Sequence, residues 1–124
     1  MRNMPPLAAQ LETEMIFEKE KSACAESICT ALTKSSNWRD RLATQYPQDT
    51  RNKRAAEKLA KLAEQTPNLS DQYWHEIKPH FNSNPTHWRD CLSQATRQVG
   101  FVHKTASFPF FVRNLIDFLQ SEKV

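Results

Sequence analysis

The sequence predicts an all-α fold, a single compact bundle of about six helices with an N-terminal helical segment free to pack separately. Three observations predict it. The 124 residues hold one glycine, whereas sheets need glycine repeatedly for hairpins, bulges and tight turns. Apolar residues recur at helical spacing between short breaks built from Pro, Asn and Ser. Twelve aromatic residues, three of them Trp, supply core material that a disordered chain lacks. The length suits one domain over residues 1–124, because a chain this long fills one hydrophobic core and not two.

Leu7 to Leu32 contains no Pro or Gly and is rich in Ala, Glu, Lys and Leu, so it reads as helix. Its apolar face changes phase midway. Leu7, Leu11 and Met15 lie along one side, while Cys24, Ile28, Ala31 and Leu32 lie on a side rotated by more than a quarter turn. The charged run Glu18 to Ser22 separates the two sets, so the helix either breaks there or its halves face different partners. Ser35, Ser36 and Asn37 suit a helix cap, which predicts a new element carrying Trp38, Leu42 and Tyr46 on one face and stopped by Pro47.

A helix from about Thr50 to Gln65 follows, with Ala55, Leu59, Leu62 and Ala63 as its buried stripe and Thr66 to Asn68 as its break. Ser70 or Asp71 caps a short helix carrying Tyr73, Trp74 and Ile77, expected to end near Pro79. Pro85 opens the next helix, in which Trp88, Cys91, Leu92, Ala95, Thr96 and Val99 follow the i, i+3, i+4, i+7 pattern. Gly100 stands where a left-handed helix cap belongs. Ser107 caps the last helix, whose broad apolar face is Phe108, Phe111, Val112, Leu115, Ile116 and Leu119, with Phe110 pointing almost opposite. The motif Trp38-Arg39-Asp40-x-Leu42 recurs as Trp88-Arg89-Asp90-x-Leu92, the trace expected of a duplicated helical pair, although the flanking residues align poorly.

Several function classes lose support. No stretch approaches the roughly 18 consecutive apolar residues of a membrane span, and residues 1–10 have no apolar run of signal-peptide type, so the expectation is a cytoplasmic protein without a membrane partner. Cys24, Cys29 and Cys91 are odd in number and form no C-x-x-C pair, which argues for buried thiols rather than a disulfide framework or zinc site. His75 and His80 fall about 140° apart on a helix, and no pair among these two, His87 and His103 has the i, i+4 spacing of two ligands on one helix. No glycine-rich loop is present to cradle a phosphate or shape an oxyanion site. The expectation is therefore a protein with no cofactor, no metal and no catalytic activity.

Two candidate surfaces remain. Leu7, Leu11, Met15 and the opposite-facing Phe110 are candidate partner-binding residues, with residues 1–20 a possible docking helix for another protein or a second copy of the chain. Arg51, Arg54, Lys58 and Lys61 form a basic stripe about 130° from the centre of their helix's apolar face, within a segment from Lys34 to Lys61 holding eight basic residues against Asp40, Asp49 and Glu57. They could track a phosphate backbone, although a charged flank is also how an ordinary surface helix stays solvated. A helix-turn-helix over Ser70 to Val99 is the weaker nucleic-acid option, because the second helix would present His87, Arg89, Asp90, Ser93, Gln94 and Arg97, a mixed set. The net charge of +3 is too small to decide. A non-catalytic helical binding module, possible regulator or inhibitor, is the first expectation, and a nucleic-acid binder the second.

Overall fold

The computed structural model describes residues 7–101 and 107–121, with side chains from residue 9 onward. They form α1 (Leu7–Gln45), α2 (Thr50–Glu64), a 3-10 turn (Thr66–Asn68), α3 (Asp71–Ser83), α4 (Pro85–Gln98) and α5 (Phe108–Gln120). The all-α expectation holds, and among the described residues there is no strand. Five helices replace the expected six because the first two are one.

The reason lies at Ser36. Instead of capping a new helix, its buried hydroxyl donates to the carbonyl of Ala56 in α2 at 2.8 Å, so the serine is satisfied across a helix contact and nothing frees the backbone at that point. The chain between Leu7 and Gln45 holds no Pro or Gly, and α1 runs unbroken for 39 residues, about 58 Å at 1.5 Å per residue. The charged run does not break it either. Lys21 bonds Asp71 at 2.6 Å and Glu20 faces Lys78 at 3.6 Å, so this stretch is where α1 meets α3.

The continuity of α1 also moves Trp38. Six residues beyond Leu32, it stands about 120° around the helix from that core position, and it is 37% exposed, whereas Trp74 and Trp88 are 0% and 4% exposed. Of the three tryptophans expected as core material, two are in the core. Trp74 and Trp88 contact Phe81 from either side in edge-to-face geometry, at centroid distances of 5.9 and 5.0 Å. The repeated motif sits in opposite environments: Trp88 is buried and Arg89 exposed, while Trp38 is exposed and Arg39 buried.

Asp49 caps α2 by accepting from the Arg51 N–H, and α2 runs antiparallel to α1, since Ser36 meets Ala56 and Arg39 meets Asn52. Cys24, Ile28 and Leu32 of α1 pack with Leu59 and Leu62 of α2 and the apolar faces of α3, α4 and α5 in one cluster. α3 passes through Pro79 rather than ending there. Proline removes a single bond to the His75 carbonyl, and Pro79 and His75 both lie on the exposed side. Asn84 and Ser107 cap α4 and α5 as their side chains accept from His87 N–H and Phe110 N–H.

Gly100 has φ +82°, as its position predicts, but the geometry is a type II turn rather than a helix cap. Val99 is extended at φ −68° and ψ 129°, and Phe101 N–H closes the turn on the Gln98 carbonyl at 3.2 Å, the pattern that requires a positive φ at the third residue. A Cβ added to Gly100 would stand 2.5 Å from Ala55 Cα. The turn therefore presses directly on α2.

Candidate functional site

Each side chain from residue 9 to residue 16 is exposed, all round the helix. The N-terminal part of α1 therefore stands clear of the bundle as an arm. Leu11 is 51%, Met15 69% and Ile16 54% exposed, three large apolar side chains on a segment that buries none. The side chain of Leu7 lies outside the described residues. The arm is rooted just beyond: the Phe17 ring tilts against His75 at 5.4 Å, and the Lys21–Asp71 bond raises the lysine pKa while tying α1 to the start of α3. Around the apolar residues stand Glu12, Glu14 and Glu18. Phe110, 45% exposed, belongs to a separate element, the first turn of α5.

The basic stripe is divided by the structure. Arg51 is held by Asp49 through two bonds of 2.8 Å, and this pairing lowers the carboxylate pKa to about 2. Arg54 and Lys61 are exposed and Lys58 half-buried, and among the described residues none of these three joins an ion pair. In the helix-turn-helix candidate, His87 turns inward, its Nε2 3.0 Å from the Leu119 carbonyl, which removes one of the positions expected to face outward.

Basic residues do converge elsewhere, at a place the sequence did not single out. Arg39 is 8% exposed and is sandwiched between the Phe101 and Trp38 rings, its Cζ 4.0 and 4.4 Å from their centroids. It donates to Asn52 Oδ1 and to the Arg97 carbonyl, both at 3.2 Å. Burial lowers its pKa, and the charges of Arg97 and Arg51 push the same way, yet a guanidinium stays protonated. Two π faces and two neutral acceptors hold this cation. The group joins the end of α4 and the Gly100 turn to the α1–α2 hairpin, a structural role. In the sequence Arg39 reads as one more basic residue of the Lys34 to Lys61 segment, with no local pattern to mark it as internal.

Two of the thiols are described by their surroundings. Cys91 Sγ lies 3.8 Å from Nδ1 and 3.7 Å from Nε2 of His87, one turn earlier on α4. Burial raises the Cys24 thiol to about 12, the reverse of what activates a nucleophile. Among the described residues no group of three or more His, Cys, Asp and Glu could hold a metal ion, His103 lying outside them. No helix among them is long and apolar enough to cross a membrane.

An open groove of about 750 Å³ runs between α1 and α4, lined by small and mixed-charge residues including Ser27, Thr30, Lys34, Arg89 and Asp90. Its floor is satisfied, the Trp88 indole N–H donating to Ser27 Oγ at 3.0 Å. Compared with family models, curated proteins and solved structures, the chain has no match.

Proposed function

We propose that this protein is a helical binding module that docks another protein on the α1 arm. The observation that carries the reading is the exposure of Leu11, Met15 and Ile16 on a segment whose neighbours are all exposed as well. Three large apolar side chains, each more than half exposed on one short stretch of helix, are costly to leave in water and characteristic of contact surfaces. Helical anchors at i and i+4 suit recognition between helices.

The test is site-specific photocrosslinking from residue 15 in the cells that make the protein, with residue 120, exposed at the end of α5, as control. A discrete protein adduct from residue 15 and none from residue 120 is the expected result. Equal, diffuse adducts from both positions would remove the reading.

Nucleic-acid binding is the second reading, favoured by Arg54, Lys58 and Lys61 standing outside ion pairs. It is the weaker one, because Arg51 is engaged by Asp49 and Arg39 is consumed inside the fold. Binding to duplex or single-stranded nucleic acid should then fall steeply with salt, and Arg54→Ala with Lys58→Ala should weaken all sequences alike. No salt-sensitive binding at low ionic strength would exclude it.

A further inference from the structure

We infer that the Trp38 end of α1 binds single-stranded nucleic acid, one base stacking on the indole while the strand's phosphates meet Lys34, Arg41 and Arg97. The site stands apart from the arm and does not depend on the docking reading. Its first support is the indole itself. The Arg39 guanidinium backs the ring at 4.4 Å and is in turn backed by Phe101 at 4.0 Å. Even so, Trp38 is 37% exposed, whereas Trp74 and Trp88 are 0% and 4% exposed. A large rigid ring, fixed from one side and open to solvent, is a stacking platform, and every base offers it a π face.

The second support is charge. On the wheel of α1, Lys34 and Arg41 fall within about 60° of Trp38, one turn before it and one turn after. They stand about 10 Å apart along the axis, so the indole has a cation on either side. Lys34 and Ser93 line the same open groove between α1 and α4, and Arg97 follows Ser93 by one turn on that flank of α4. The Arg97 carbonyl accepts from Arg39 at 3.2 Å, which brings the end of α4 beside the indole. Lys34, Arg41 and Arg97 are exposed, and among the described residues none of them joins an ion pair. The carboxylates stand elsewhere. Asp49 is held by Arg51, Asp40 lines a separate hollow with Thr44 and Lys53, and Asp90 and Glu26 lie farther along the groove, two turns before Arg97 and three before Trp38. Cations on both sides of a ring suit a base with a phosphate on each side, which a strand offers and a mononucleotide does not. A duplex keeps its bases stacked on one another, leaving no face for the indole.

Labelled oligothymidylate and oligouridylate of about 12 nucleotides test this with the full chain by fluorescence anisotropy at low salt, beside a duplex of the same length and polyphosphate as competitors. At least one strand should bind, the pair telling DNA from RNA, with duplex and polyphosphate at least about tenfold weaker. Binding should quench tryptophan emission, and Trp38→Phe, which keeps a ring over Arg39, should remove the quench because the other two indoles are buried. Trp38→Ala should lower affinity about tenfold. Arg41→Gln with Arg97→Gln, both at exposed positions, should leave the circular-dichroism melt unchanged and reduce the slope of log affinity against log salt by about 1.4. No salt-sensitive binding of either strand, equal affinity for duplex or polyphosphate, or a quench that persists in Trp38→Phe overturns the inference. Binding that ignores the Trp38 and Arg41 with Arg97 variants but is lost in Arg54→Ala with Lys58→Ala would place the strand on the α2 stripe, ending this inference and leaving the second reading above. Crosslinking from residue 15 decides the docking reading separately.

Discussion

The two ends of α1 invert the usual distribution of side chains. At the N-terminal end, Leu11, Met15 and Ile16 are more than half exposed; near the C-terminal end, Arg39 is 8% exposed. The difference comes from what stands beside each end. Every side chain of the arm from residue 9 to residue 16 is exposed, so Leu11 and Met15 bury little apolar surface against the described residues. The far end has α2, the end of α4 and the Gly100 turn around it, and the Arg39 guanidinium meets two aromatic faces and two carbonyl-type acceptors there, its buried Nε alone lacking a hydrogen-bond partner among the described residues. Hydrophobicity alone therefore does not tell which end is structural.

The comparison can be broken most sharply by paired substitutions on one helix. Leu32→Ala, in the core, should cost about 2–5 kcal/mol, whereas Leu11→Ala should stay within about 0.5 kcal/mol. Denaturant titration of both variants measures the contrast, and a large loss at Leu11 would mean that the arm is packed on the domain. The indoles give a parallel contrast: Trp88→Ala should cost about 3–5 kcal/mol and Trp38→Ala well under half of that.

At the structural end, Arg39→Ala should destabilise by about 2–4 kcal/mol, because it opens space between two rings and strands the Asn52 and Arg97 acceptors. Gly100→Ala should exceed the roughly 1 kcal/mol that a positive φ alone costs an alanine, since the new methyl group collides with the backbone of Ala55. Urea titrations report both, and losses under 1 kcal/mol would show that the junction is loosely packed.

The smallest effect is on pH dependence. The Asp49 carboxylate, held by Arg51, has a folded pKa of about 2 against an ordinary 3.8. A depressed pKa means that its contribution is complete above the ordinary value and is lost as pH falls through the folded one. Its carboxyl carbon resonance should titrate near 2 and move up toward the ordinary value in Arg51→Ala.

Much of the helical layout was legible because its signals are local. The caps at Ser70 and Ser107, Pro85 at the start of α4, and the apolar stripes of α2, α4 and α5 each depend on residues within a few positions of one another. Ser35 to Asn37 misled for the same reason. A serine suited to a cap is equally suited to donate to a passing carbonyl, and only the arrival of α2 decides between the two. Likewise Pro79 signals a stop, but an exposed proline late in an otherwise well-packed helix interrupts one bond and not the helix.

By itself the sequence determined the all-α class, the phase change along the first helix, the positive φ at Gly100 and the absence of a stretch apolar enough to cross a membrane, because composition and short-range periodicity encode these. The tertiary structure decided the single 39-residue helix, the exposure of Trp38, the burial of Arg39, the pairing of Arg51 and the exposure of Leu11, Met15 and Ile16. Each of these depends on which element lies across from a residue, and that is a property of contacts between residues far apart in the chain.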